Sequence, residues 1–288
     1  MVAPLTYEAL IGAVTSRHPS MSRRFQQIAR HVVQNPNDVA LGSVKSIATG
    51  AGVQPSSLVR FAQSFGYTGF AEMQRVFQAR LVTAAPGIKE RIHALKGELG
   101  HGSSTSGMAT LRDLVIADIA GLEHLLDSLS EDTLTAAVDL LAKARTVYLL
   151  GQLRAYPVAV YLRYALIHLR RDVRLLDGAG GLATEQSQLM GAESVLLVIS
   201  FRHYAREVVD IVEAAEARDV PIVAITDSQL SPLAKRASVC MVVPDGEYNY
   251  ARSLAEPICL AQALIICLAR RLDIDPESAE ALAESGAG

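Results

Sequence analysis

Cysteine, long apolar runs and, over one stretch, acidic side chains are what this chain of 288 residues has little of. Its three cysteines, Cys240, Cys259 and Cys267, stand in apolar surroundings without ligand-like spacing or a nearby histidine. That pattern excludes a disulfide scaffold or a metal finger and predicts buried, reduced thiols, with no metal and no cofactor. No basic segment followed by an apolar stretch opens the sequence. The most apolar helical run, around Ile258 to Ala269, is interrupted by Gln262 and is too short to span a bilayer. A cytoplasmic protein without a membrane partner is expected. Acids are scarce in residues 1 to 80, where Glu8, Asp38 and Glu72 face eight Lys or Arg. The net charge there is +5 in a chain whose total is −3, so the remainder carries −8. Such asymmetry points to a phosphate-facing module joined to something else. At 50% hydrophobic residues the chain has ample material for two packed cores.

The basic stretch carries a pattern of its own. In Ser43 to Gly66, SVKSIATGAGVQPSSLVRFAQSFG, Ile47 and Ala48 fall on one face of a short helix. Gly52 and Val53 form a tight turn, and Leu58, Phe61 and Phe65 make an i, i+3, i+7 stripe on the next helix. Ala48 is small where the second helix crosses, and Gly52 can take a positive φ. Ser43 suits the N-cap of the first helix and Pro55 the first turn of the second. The stripe turned inward leaves Ser56, Ser57, Arg60, Gln63 and Ser64 on the outer face, with Lys45 and Gln54 beside them. This is a helix-turn-helix whose outward side chains fit a DNA groove. A plain helical pair is the alternative reading.

Around this element the first 82 residues read as all helical: Tyr7 to Arg17, Ser22 to Gln34 stopped by Asn35-Pro36, a short turn near Val39, and Gly69 to Leu81. Pro86, several glycines and the run HGSSTSG mark residues 83–109 as a linker. Residues 110–280 form a second domain. It opens with helices over Leu111 to Leu129 and Glu131 to Ala144. Five short apolar runs follow: Thr146 to Gly151, Asp172 to Asp177, Ser194 to Ser200, Pro221 to Asp227 and Ser238 to Pro244, mostly separated by helical patterns. Apolar strands alternating with helices predict an α/β domain with a five-stranded parallel sheet flanked by helices. Right-handed crossovers gather the loops after the strands along one carboxyl edge, where such sheets bind ligands. A last helix, Ala251 to Arg271, has the stripe Leu254, Ile258, Ala261, Ile265 and Leu268, suited to a dimer contact or to covering the sheet.

The segment MSRRFQQIARHVVQNPNDVALGSVKSIATGAGVQPSSLVRFAQSFGYTGFAEMQ resembles the DNA-binding domain of RpiR/MurR-type transcriptional regulators, with the VRF and FGYTGF pieces most specific. AITDSQLSPLAKRAS, Ala224 to Ser238, is similar to the stretch after the fourth strand of the sugar isomerase (SIS) fold that forms the second domain of that family. The resemblance implies a regulator of carbohydrate or related catabolic genes. Its SIS domain would sense a phosphorylated or carboxylated sugar metabolite, and its helix-turn-helix domains would bind a palindromic duplex operator as a homodimer or homotetramer.

The ligand loops depart from the family pattern. Of the Gly-x-Gly-x-Ser loop only Gly151 remains. Of Ser-x-Ser-Gly-x-Thr-x-Glu only Ser200 and Glu207 remain. Gln152 and Arg154 in the first loop, and Arg202, His203 and Arg206 in the second, are the candidate replacements, with guanidinium forks taking the place of hydroxyls around an anion. A degenerate pocket, with these arginines solvated or paired to Glu185 and Glu207, is the competing reading. An aldose-ketose isomerase would need a base and an acid at the substrate carbon and oxygen. Glu207, Glu185 and His203 can be proposed, but no motif pairs them. A SIS domain that only dimerises is the third possibility.

Overall fold

A computed structural model describes residues 3–83, 107–243, 247–248 and 251–274. The chain divides into two compact units, Met1–Arg112 and Asp113–Gly288.

The described part of the first unit is helical: α1 (Tyr7–Arg17), α2 (Arg23–Gln34), α3 (Pro36–Leu41), α4 (Val44–Gly50), α5 (Pro55–Ser64) and α6 (Phe70–Thr83). Thr6, Ser22 and Ser43 stand before α1, α2 and α4, and each side chain accepts from a backbone N–H of the first turn. Pro36 cannot continue α2. It starts α3 instead, a helix where the sequence pattern suggested only a turn. The core joins Leu10 and Val14 of α1, Ile28 and Val32 of α2, Ile47, Leu58, Phe61 and Phe65, and Met73 and Phe77 of α6, all at most 2% exposed. Phe61 meets Phe25 edge-on at 5.5 Å and Phe65 at 5.1 Å. α6 also satisfies the end of α3. Gln74 Nε2 donates to the carbonyls of Val39 and Gly42, both at 2.8 Å, and Gln78 Nε2 to that of Ala40 at 3.1 Å.

The second unit holds α7 (Gly107–Ser128, entering it at Asp113), α8 (Glu131–Lys143), β1 (Thr146–Gly151), α9 (Tyr156–His168), β2 (Asp172–Leu175) and α10 (Ala183–Ser187). Then come β3 (Ser194–Ser200), α11 (Arg206–Glu216), β4 (Ile222–Thr226), β5 (Val239–Val242), the two-residue strands β6 (Glu247–Tyr248) and β7 (Ala251–Arg252), and α12 (Ala255–Arg271). The five expected strands form one parallel sheet in the order β2-β1-β3-β4-β5. Alternation along each strand separates two cores. Val147, Leu149, Leu197, Ile199 and Ile225 point to the face covered by α8, α9 and α12. Leu150, Leu196, Val198, Ile222 and Ala224 point to the face covered by α11 and the α10 segment. Every residue of β3 is buried, as expected of a central strand in a three-layer sandwich.

α12 starts four residues later than its sequence pattern suggested, because Ala251 and Arg252 pair antiparallel with Glu247 and Tyr248, and Ser253 Oγ accepts from the Ala255 N–H at 3.0 Å. Its stripe covers the sheet. Ala261 and Leu268 are fully buried, and Leu254, Ile258 and Ile265 pack against the same core. α7 approaches closely where it carries glycine, since a Cβ on Gly121 would collide with the carboxylate of the buried Glu256. Among the described residues no helix is long and apolar enough to cross a membrane. The residues expected to link the domains lie almost wholly outside the described residues.

The cysteines correct an expectation. Cys240 and Cys267 are half-buried, but Cys259 is exposed. The periodicity of α12 explains this: Glu256, Leu260, Leu264 and Leu268 form its inner line, and Cys259 falls with Gln262 and Ile266 on the outer one. Burial pushes the Cys240 thiol up to about 12, so it stays protonated at neutral pH. Iodoacetamide at pH 8 should therefore alkylate Cys259 well before Cys240, as read by peptide mass spectrometry. Faster reaction at Cys240 would contradict this packing.

Candidate functional sites

In the first unit, α4 and α5 form the helix-turn-helix. Gly52 takes φ +64° at the turn, a left-handed backbone that L side chains rarely adopt, and a Cβ there would also push aside the end of the Gln27 side chain of α2, whose Nε2 would lie 2.9 Å away. The Val53 N–H then closes on the Ala48 carbonyl at 2.9 Å. Leu58, Phe61 and Phe65 are buried as the stripe requires, so α5 is fixed through its inner face. Truncating Phe61 would cost about 3–5 kcal/mol on the usual scale for buried aromatics. Lys45, Gln54, Ser56, Arg60 and Gln63 are exposed. Gln54 sits at the N-cap of α5 without a side-chain capping bond, which leaves its amide available.

Two expected outward residues are placed otherwise. Ser57 is 6% exposed and cannot face a groove, because it lies one turn before Phe61 on the inward side of α5. Ser64 is half-buried: its hydroxyl donates to the Phe61 carbonyl at 2.7 Å, and its own carbonyl accepts from Arg17 Nη1 at 2.7 Å. Arg17 also lies over the Phe65 ring at 4.6 Å, so this cation braces the end of α5.

In the second unit, the chain runs from β1 through α9 to β2 on one side, and from β3 through α11 to β4 on the other. The loops leaving β1 and β3 therefore diverge and open a crevice at the carboxyl edge, the place where such sheets take ligands. Both expected loops lie there. Gln152 Nε2 donates to Glu207 Oε2 across the crevice, and Arg154 stacks over the Phe201 ring at 4.4 Å. Arg154 Nη1 also donates to the Ser253 carbonyl at 3.1 Å, which ties the β1 loop to the start of α12. Tyr204 Oη donates to Asp227 Oδ1 at 2.7 Å and joins the β3 loop to the end of β4.

Not all expected residues present a side chain. Gly151 is buried, and a Cβ there would come 2.9 Å from the Ala159 Cβ, so this glycine lets α9 lie close on β1. Ser200 is also buried, at 6% exposure. Arg202 and His203 are exposed in the loop, and among the described residues Arg206 reaches only Asp210 of its own helix, at 3.7 Å with both side chains largely exposed. A surface pair of this kind contributes little. Glu185 is exposed on α10 and does not bond these arginines among the described residues. Among the described residues, Leu153 (φ +53°) and His203 (φ +70°) adopt left-handed backbone, one in each crevice loop, Leu153 as the first residue of a single 3-10 turn, Leu153–Ala155. Backbone of this kind is held by its surroundings and gathers at ligand sites. Phe201, Tyr204, Asp227 and Ser253 were not singled out from the sequence. Their partners lie 23 to 99 residues away, so no local spacing reports them.

Comparison with known proteins agrees with this geometry. Residues 10–82 match the model of the helix-turn-helix domain of the rpiR family, and residues 140–266 that of the SIS domain. The HTH-type transcriptional regulator HexR of Pseudomonas aeruginosa is 23% identical over 241 residues, covering 82% of this chain and 79% of its own. The sugar isomerase domain of an RpiR transcription factor from Sphaerobacter thermophilus is 26% identical, with a TM-score of 0.56 over 60% of this chain and 95% of its own. The Vibrio vulnificus NanR protein, complexed with ManNAc-6P, is 18% identical, with a TM-score of 0.57 over 94% of this chain and 97% of its own.

The turn glycine gives a direct check. Gly52→Ala forces an L side chain into the left-handed region and should cost about 1–3 kcal/mol of stability. Gly12, inside α1, has no positive φ and open space around it, so Gly12→Ala should lose no stability. Urea melts followed by circular dichroism compare the two. Equal stability of both variants would show that the turn does not require glycine.

Proposed function

Because the chain belongs to the RpiR-type helix-turn-helix transcriptional regulators with a SIS domain, we propose that it binds a duplex operator and that an anionic sugar metabolite in the sheet-edge crevice alters that binding. One observation carries the reading: a helix-turn-helix and a SIS domain occupy the same chain, over residues 10–82 and 140–266. In our reading Arg60, Ser56, Gln63, Gln54 and Lys45 are the groove and backbone contacts. Arg60 is suited to a guanine edge or a phosphate. A symmetric dimer would present two such helices to a palindrome.

In the crevice, Gln152, Arg154, Arg202, His203, Arg206 and Glu207 form the proposed ligand set, with Gly151 and Ser200 contributing backbone. NanR, of the same fold, is complexed with ManNAc-6P, which supports a phosphorylated sugar as the ligand class. Arg154 already bonds the carbonyl of Ser253 at the start of α12, so an anion that draws this guanidinium away would also release that contact. This gives the crevice a route to the helix layer. The isomerase alternative is disfavoured because no motif pairs Glu207, Glu185 or His203 as base and acid.

A test combines thermal shift with a panel of sugar phosphates and sugar acids and anisotropy of labelled operator DNA. One metabolite should raise the melting temperature and change operator affinity, and none should be turned over. Replacing both Arg202 and Arg206 by Ala should weaken the effector response by about tenfold or more, the usual scale for charge-assisted bonds. DNA binding without effector should stay within about twofold. A double variant with a normal response would assign these arginines to the solvated surface.

A further inference from the structure

α2 is the element that runs along the helix-turn-helix, and three of its side chains mark the path. His31 stands at Gly50, where a Cβ would come 2.7 Å from His31 Cε1. Gln27, one turn earlier, stands at Gly52. Arg24, nearly one turn earlier again, lines a cleft of about 310 Å³ with Thr49, Gly52, Val53 and Gln54. α2 thus delivers one guanidinium to the start of α5, the end of a recognition helix that lies nearest the bases and the flanking sugar-phosphate backbone.

Three of the other cations of this unit are placed differently. Arg17 is committed to the Ser64 carbonyl and the Phe65 ring, and Arg75 lies near Glu72. Arg30, also exposed, projects from another face of α2. Arg24 is exposed, and among the described residues no carboxylate pairs with it. Within the cleft, the Gln54 amide can donate beside it, whereas the Thr49 hydroxyl already donates to the Lys45 carbonyl at 2.9 Å. An open cleft holding a cation and an available amide, in a unit of net positive charge, matches a phosphate diester better than a base edge or an apolar group.

We propose that the cleft between α2 and the helix-turn-helix turn binds a backbone phosphate of the DNA flanking the site read by α5, with Arg24 and Gln54 as its donors. Arg24 is a positioning residue: it fixes where α5 enters the groove and does not select the sequence. The proposal rests on the DNA-binding reading above and extends it to a residue outside the helix-turn-helix.

The experiment is fluorescence anisotropy of the full chain with a mixed-sequence duplex and with a duplex enriched by the protein from a random pool, across a range of salt concentrations. Wild type is compared with Arg24→Gln, Arg24→Lys and Arg30→Gln, and thermal melts establish that each variant folds. Arg24→Gln should weaken binding to both duplexes by a similar factor and lower the slope of log affinity against log salt by about 0.9, the loss of one phosphate contact. Arg24→Lys should recover most of the slope, and Arg30→Gln should change it less. Wild-type affinity and slope in Arg24→Gln, or an equal loss in Arg30→Gln, would overturn the assignment of the cleft. Loss of preference for the enriched duplex alone would overturn the phosphate role in favour of base reading. Absence of DNA binding by the wild-type chain is a different result, and it would overturn the regulator reading itself.

Discussion

Burial of both faces of the parallel sheet is the constraint on which the second unit depends. A strand covered above and below cannot expose side chains to a ligand along its length, so chemistry is left to the loops at one edge. The order β2-β1-β3-β4-β5 then decides which loops. Connections that leave β1 and β3 in opposite directions cannot fill the space between them, and Gln152, Arg154, Arg202 and Glu207 lie around that space. Gly151 keeps α9 against β1 at the crevice floor, where even a methyl group would strike Ala159.

The first unit solves a related problem with smaller parts. Helices as short as α4 (Val44–Gly50) are not stable alone, so their geometry is imposed by packing. Phe61 links α5 to α2 through Phe25, and the glutamines of α6 occupy the carbonyls that α3 leaves open. Gly50 and Gly52 face the side chains of His31 and Gln27 of α2. The outer face of α5 is left free of structural duty at Ser56 and Arg60, while the braces fall on its inner face and its end.

Much of this was legible in the sequence because it rests on local periodicity. Leu58, Phe61 and Phe65 declared an inward stripe, Gly52 a left-handed turn, and five Val, Ile and Leu runs a covered parallel sheet. What was not legible depends on contacts between distant residues. Ser57 read as outward because the stripe was drawn too narrow, one residue short of its true edge. Arg154 read as a free anion donor, and the carbonyl that holds it comes from Ser253, 99 residues away. Cys259 read as buried because α12 is apolar on more of its circumference than its inner line needs. Tyr204 and Asp227 meet only because β3 and β4 are neighbours in the sheet.

Selection of duplex DNA from a random pool by the intact chain tests the central claim most directly. A regulator that reads DNA through paired recognition helices should enrich an inverted repeat whose half-sites are centred about one helical turn, or a multiple of it, apart. Recovery of a pool indistinguishable from the input, at salt low enough for electrostatic binding, would contradict the account.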